Sequence, residues 1–244
     1  MSTPLRIAMW SGPRNISTAM MRAWENRGDC DVSDEPLYAA FLSDTQLDHP
    51  GRDEVVAAGE TDYKKIVVDL LGDSPNGRDI WYQKHMTHHL LPDYSRDWIP
   101  KLTNILLIRD PVEVVASYVK SRASVTPEDI GIPQQRKLHD EIIAATGIAA
   151  PIIDAGDFLR SPKTYLQALC EFLGIPFTER MLHWPAGRRA SDGVWAPYWY
   201  AAVEASTGFE TWREREISLT GDAAKVADRC RGDYEFLHEQ RWLP

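Results

Sequence analysis

Residues 11–18 read Ser11-Gly12-Pro13-Arg14-Asn15-Ile16-Ser17-Thr18, directly after the apolar run Leu5–Trp10. A turn rich in free amides, with an arginine and two hydroxyl residues, opens the helical spacing of Met20, Met21 and Trp24. Amide donors and the positive end of a helix in such a turn favour an anion, phosphate or sulfate above all. The plain alternative is a strand-to-helix turn capped by Ser17. A Walker A loop is excluded, because no Gly-Lys pair stands ahead of Ser17 and Thr18. A second segment, Leu106–Tyr118, ends a buried run at Arg109 and carries Ser117 in the following helical pattern. An arginine at a strand end and a serine on the next helix are able to converge on one more anion, and Arg109 is also able to pair with its neighbour Asp110.

The elements that must position these residues alternate. The patterning predicts strands over 5–10, 79–85, 104–109 and 150–155, with a short extended piece ahead of residue 34. It predicts helices over 17–27, 34–42 (Pro36 in the first turn), 61–73, 111–122, around 137–147 and over 161–174, and a C-terminal helix within 222–243. This alternation implies a three-layer α/β fold, a mostly parallel central sheet flanked by helices on both faces, as one domain over residues 1–244. In such a sheet, ligands collect outside the C-terminal ends of the strands, where 11–18 and 109 would both lie. The aromatic stretch 186–200 reads as a long surface loop, and 192–209 as a lid whose Trp195, Tyr198, Trp199 and Tyr200 either stack on a ligand or pack in the core.

The 244 residues are 43% hydrophobic and 26% charged, with a net charge of −9. Those proportions are globular, and the acidic balance speaks against nucleic acid or an anionic membrane as partner. Cys30, Cys170 and Cys230 are scattered, which fits reduced thiols in a cytoplasm. No run has the apolar length of a signal peptide or membrane span. Adjacent His88 and His89 are expected to point apart with no third ligand in view, so no metal is expected.

With both anion-binding segments on the page, the chain resembles the sulfotransferase family of P-loop-like α/β proteins. These transfer a sulfuryl group from 3′-phosphoadenosine 5′-phosphosulfate (PAPS) to an acceptor. "SGPRNIST" is similar to the family's first loop, which cradles the 5′-phosphosulfate. The spacing of Arg109 and Ser117 is similar to its 3′-phosphate motif. "QKHMTHHLLP" (83–92) resembles the "KTHLPLALLP" stretch of cytosolic members, with His85 on their base histidine. "APIIDAGDFLRSPKTYLQALCEFLGIPF" (150–177) resembles a later strand–helix segment. The resemblance implies that the loop and Ser17 and Thr18 hold the 5′-phosphate and that Arg14 neutralises the leaving oxygen. It also implies that the base is either Glu35, at the place of a glutamate in bacterial and Golgi members, or His85. Asn15-Ile16 departs from the usual Ser-Gly. The family's late Arg-Lys-Gly loop has no clean match, leaving Arg188 and Arg189 as candidates. The first loop together with 34–42 also resembles plant proteins labelled branched-chain-aminotransferase-like. Aminotransferase chemistry is not expected, since it needs a Schiff-base lysine and a pyridoxal phosphate domain.

The expected function is sulfuryl transfer from PAPS, without a metal, to a hydroxyl or amine of a small soluble acceptor. The alternatives are a P-loop kinase or NTPase-like enzyme and a non-catalytic nucleotide-binding protein of the same fold.

Overall fold

The computed structural model describes residues 3–120, 122 and 124–244. The chain runs β1 (Leu5–Ser11), α1 (Ser17–Glu25), β2 (Cys30–Asp34), α2 (Tyr38–Thr45), α3 (Arg52–Ala58), α4 (Tyr63–Leu70), β3 (Ile80–Met86) and β4 (Thr103–Ile108). It continues α5 (Pro111–Tyr118), α6 (Pro127–Ile130), α7 (Ile132–Thr146), β5 (Ile152–Asp154), α8 (Ala155–Arg160), α9 (Pro162–Phe172), α10 (Ala196–Trp199), α11 (Ala201–Glu204) and α12 (Gly221–Glu239). The five strands form one sheet in the order β2-β3-β1-β4-β5, and every pairing is parallel.

β1 is central, and its middle run Ile7–Trp10 is apolar and fully buried, as a strand covered on both faces must be. Ile7 and Met9 pack with α1, α8 and α9 through Met20, Met21, Trp24, Phe158 and Leu166. Ala8 and Trp10 face the opposite layer, with Leu70 of α4, Leu138 and Ile142 of α7 and Leu237 of α12. The chain leaves β1 towards β2 and β3 on one side and returns to β4 on the other. That reversal opens a crevice beyond the C-terminal ends of β1 and β4.

The helix over 34–42 starts later than expected. Asp34 ends β2, and Glu35 takes a left-handed backbone (φ 43°) that turns the chain before α2. The helix after β4 ends at Tyr118 rather than Arg122, and Ser121 lies outside the described residues. Five helices among the described residues escaped the sequence patterning, α3, α6, α8, α10 and α11, all of seven residues or fewer. Too few apolar positions recur in such short elements to reveal a period. The stretch 186–200 is not wholly loop, because it contains α10, and Ala196 and Tyr200 are buried. Among the described residues no helix is long and apolar enough to cross a membrane.

Candidate active site

The turn after β1 is fixed from several sides. A Cβ on Gly12 would sit 2.4 Å from the carbonyl oxygen of Ile130, so only glycine lets the loop pass there. Asn15 Nδ2 donates to the Leu107 carbonyl (3.0 Å), and Asn15 Oδ1 accepts from the Ile16 amide (2.8 Å). Arg14 is held at φ 54°, a left-handed conformation that costs a non-glycine residue about 1–2 kcal/mol. Such strain persists where the surroundings over-determine it, often at functional sites. Ser17 is the buried first residue of α1, and Ile16 stands at the cap position with no side-chain cap bond. The capping alternative therefore does not hold.

The β1 turn and the β4 segment meet. Arg14 Nε donates to Ser117 Oγ at 3.0 Å, and Arg109 Nη1 donates to the Arg14 carbonyl at 2.8 Å. Arg109 also forks onto Glu113 (2.9 and 2.7 Å), not onto Asp110, whose carboxylate caps α5 at Val112. Burial and the neighbouring Arg109 charge both lower the proton affinity of Arg14.

Arg14, Arg109, Glu113 and Ser117 line a cleft of about 600 Å³, together with Pro13–Ala19. Ser11 and Gly12 are not among its described lining residues. Ser11 is buried with its hydroxyl turned onto the Gly12 carbonyl (2.7 Å), so both support the loop from behind.

Glu35 and Lys84 line the same cleft. Side chains alternate along β3, so Tyr82, Lys84 and Met86 share one face while Gln83 and His85 share the other. His85 is consequently stacked on Trp10 (4.3 Å) and contacts Gln83 Oε1 (3.2 Å), in the layer opposite the cleft. Burial pushes its pKa down to about 3. The expectation that His85 faces an acceptor is corrected: the period of the strand turns it away and brings in Lys84, one position earlier.

Lys84 Nζ donates to Asp34 Oδ1 (2.8 Å), Glu35 Oε1 (2.6 Å) and Tyr200 OH (2.6 Å). Burial lowers the proton affinity of Lys84, but the two carboxylates outweigh it and raise the pKa well above the ordinary lysine value. Burial raises that of Glu35; the Lys84 charge opposes and the Asp34 charge adds to the rise, leaving the net shift upward.

His88 and His89 do not point apart. Their rings lie 4.4 Å apart, both line the cleft, and burial lowers both pKa values, that of His88 to about 3. Trp199 and Tyr200 also line it, whereas Trp195 bonds Tyr200 OH (3.1 Å) and Tyr198 reaches Glu54 (3.3 Å).

Arg188 and Arg189 are not among the described residues lining the cleft. Arg189 is spent on the Pro185 carbonyl and, through its amide, on Asp192, which pairs with buried Arg22. Arg213 and Arg215 line the cleft instead, on a segment without regular structure. The charge-rich "TWREREI" (211–217) has no helical or strand period, so no local pattern signals where it folds back.

A parallel sheet with an amide-rich turn and converging arginines at its switch point defines a P-loop-like α/β protein. The family described as "Sulfotransferase domain" matches residues 5–221. The chain belongs to that family. It is 36% identical over 211 residues to branched-chain-amino-acid aminotransferase-like protein 1 of Arabidopsis thaliana, covering 86% of this chain and 38% of that protein. It is 36% identical over 231 residues to protein 2 of the same name and organism, covering 95% and 41%. The chain thus spans about two fifths of the length of these curated relatives. Among solved structures, a sulfotransferase from Alicyclobacillus acidocaldarius matches with TM-score 0.56 at 13% identity, covering 100% of this chain and 98% of that one. The sulfotransferase domain of the Synechococcus PCC 7002 olefin synthase matches with TM-score 0.53 at 18% identity, covering 100% and 98%. At these identities the likeness is one of fold.

Proposed function

We propose that this chain, acting as a single domain in the cytoplasm, transfers the sulfuryl group of PAPS to a hydroxyl or amine of a small acceptor. The observation that carries the reading is the meeting of Arg14, Arg109 and Ser117 across the ends of β1 and β4. The turn 13–18 and the first amides of α1 would hold the 5′-phosphate. Arg14 would offset charge growing on the leaving oxygen. Arg109 and Ser117 would hold the 3′-phosphate, with Arg213 and Arg215 in place of Arg188 and Arg189. Glu113 would give up Arg109 to that phosphate, a stronger bidentate partner. Glu35 would take the acceptor's proton: one of its oxygens is held by Lys84, and the side chain is 12% exposed on the cleft. The aminotransferase in the names of the Arabidopsis relatives is not carried over. Lys84, at the cleft, is committed as a buried ammonium between two carboxylates, unlike the neutral amine a Schiff base requires.

Isothermal calorimetry with adenosine 3′,5′-bisphosphate against Mg-ATP tests the nucleotide, and transfer of label from [35S]PAPS to a metabolite extract tests the reaction. Tighter binding of the bisphosphate with labelled product supports the reading. Preference for Mg-ATP, or bisphosphate binding without any labelled product, overturns it.

A further inference from the structure

Glu35 lines the cleft, beside groups from five segments of the chain. Asp34 comes from β2, Lys84 from β3, Tyr200 from between α10 and α11, and Tyr38 and His89 lie on the α2 side and just past β3. The ammonium of Lys84 has three N–H donors, and each has an acceptor: Asp34, Glu35 and Tyr200. Tyr200 OH in turn lies 2.8 and 2.7 Å from the two oxygens of Asp34, and the Gly193 amide donates to Asp34 Oδ2 (3.1 Å). Lys84 and Asp34 side chains are 1% and 2% exposed, so this is a closed arrangement rather than a surface ion pair. Only Glu35 Oε1 takes part; among the described residues Oε2 accepts no hydrogen bond.

We propose that Asp34, Lys84 and Tyr200 are positioning residues that fix Glu35 by one oxygen and turn the other to the acceptor, with Tyr200 linking the docking of the 193–204 segment to that geometry. This rests on the reading of Glu35 as base. Asp34 has a definite part. It competes with Glu35 for one ammonium, and it is the carboxylate better supplied with donors. Burial, with the Asp34 charge adding to it, leaves Glu35 with a raised proton affinity, which is what a group that must accept a proton requires. Tyr200 is the one member carried on a segment outside the sheet. When 193–204 is in place, Lys84 has its third acceptor and Asp34 its hydroxyl donor. When it is withdrawn, Lys84 loses its third acceptor and Asp34 its hydroxyl donor, and the ammonium is shared between Asp34 and Glu35 alone.

The test reads Glu35 directly, with or without turnover. Difference infrared titration of the full chain, bound to adenosine 3′,5′-bisphosphate, follows the protonated carboxyl band assigned to Glu35 by its loss in Glu35→Gln. Asp34→Asn removes a like charge and should shift the midpoint down by about one unit or more. Tyr200→Phe should shift it up by about half a unit, because Asp34 without its hydroxyl donor draws Lys84 away from Glu35. Side chains that serve only packing would move neither midpoint, and unchanged midpoints overturn the proposal. Thermal melting and bisphosphate affinity report folding. The near-isosteric Tyr200→Phe keeps the test open if Asp34→Asn does not fold. Failure of the functional reading shows separately, as wild-type protein that binds nucleotide and transfers no label.

Discussion

Replacing Lys84 by methionine keeps the volume and removes the charge that two buried carboxylates share. Asp34 Oδ1 and Glu35 Oε1 lie 2.8 and 2.6 Å from Nζ. Breaking a buried pair by deleting one partner typically costs about 3–5 kcal/mol. The structure sets a ceiling near the lower end, because Glu35 is able to take a proton rather than remain an unpaired anion. From an ordinary carboxyl pKa of about 4.3, protonation at pH 7 costs roughly 3.7 kcal/mol, and at pH 5 roughly 1 kcal/mol. Lys84→Met should therefore lose about 3–4 kcal/mol at pH 7, a urea midpoint shift of about 1–2 M, and only about 1 kcal/mol at pH 5. The sign follows from Glu35: burial already raises its folded-state proton affinity and the variant removes the opposing Lys84 charge, so the variant's stability returns as pH falls. In the wild type the raised pKa of Lys84 acts at the other end. Its contribution is full below the unfolded lysine value of about 10.5 and is lost only as pH rises through the higher folded value. Urea unfolding at both pH values decides the matter. An equal loss at pH 5 and pH 7 would refute the shared-charge account.

Glu35→Gln should lower label transfer from [35S]PAPS by about a hundredfold or more, as loss of a general base does, while calorimetry finds bisphosphate affinity little changed. Arg14→Ala should lower transfer by about a hundredfold, worth roughly 3 kcal/mol of transition-state stabilisation, with the melting temperature retained; wild-type turnover would exclude the role. Arg109→Ala should weaken adenosine 3′,5′-bisphosphate by about 1.5–3 kcal/mol and adenosine 5′-monophosphate far less, whereas equal weakening of both would leave Arg109 only its structural contact to the Arg14 carbonyl.

The parts legible in the sequence are those with a period or a spacing. Buried strands such as Asn104–Ile108 announce themselves by composition, and the turn 11–18 by its contrast with the run before it. Arg109 follows β4 and Ser117 lies in α5, a separation that a strand and the helix after it fix. His85 was misplaced because an alignment on Leu-Leu-Pro ignores a phase that the strand imposes: Tyr82 packs in the core beside Trp24, which sends Lys84 to the cleft and His85 behind Trp10. Tyr200 belonged to an aromatic stretch whose residues look alike in sequence, yet only its hydroxyl reaches Asp34. Arg213 and Arg215 depend on a long-range return of irregular chain, held in part by Trp212 under the Arg160 guanidinium (3.7 Å), and no local pattern encodes such a contact.

Asn15 is where the chain departs from the loop it resembles, and its side chain accounts for the departure. Its Nδ2 ties the turn to the β4 carbonyl of Leu107, and its Oδ1 satisfies the Ile16 amide just before α1 begins. Ile16 packs on the core cluster of α1 and β1, so the turn is held by a side-chain bond on one residue and apolar contact on the next. Asn15→Ala would orphan the Ile16 amide, while the Leu107 carbonyl keeps its bond from Gln135 Nε2 (3.0 Å). The expected loss is about 1 kcal/mol of stability, with the strained Arg14 freer to relax and bisphosphate affinity down about tenfold, equal to 1.4 kcal/mol. Asn15→Asp keeps the acceptor for Ile16 but loses the donor to Leu107 and sets a negative charge beside the anion site. Its affinity should fall further than that of the alanine variant, and more steeply at low salt, where the repulsion is least screened. Calorimetry of both variants at two ionic strengths separates loop fixation from charge. An alanine variant with wild-type affinity would mean that Gly12 and Gln135 alone hold the turn.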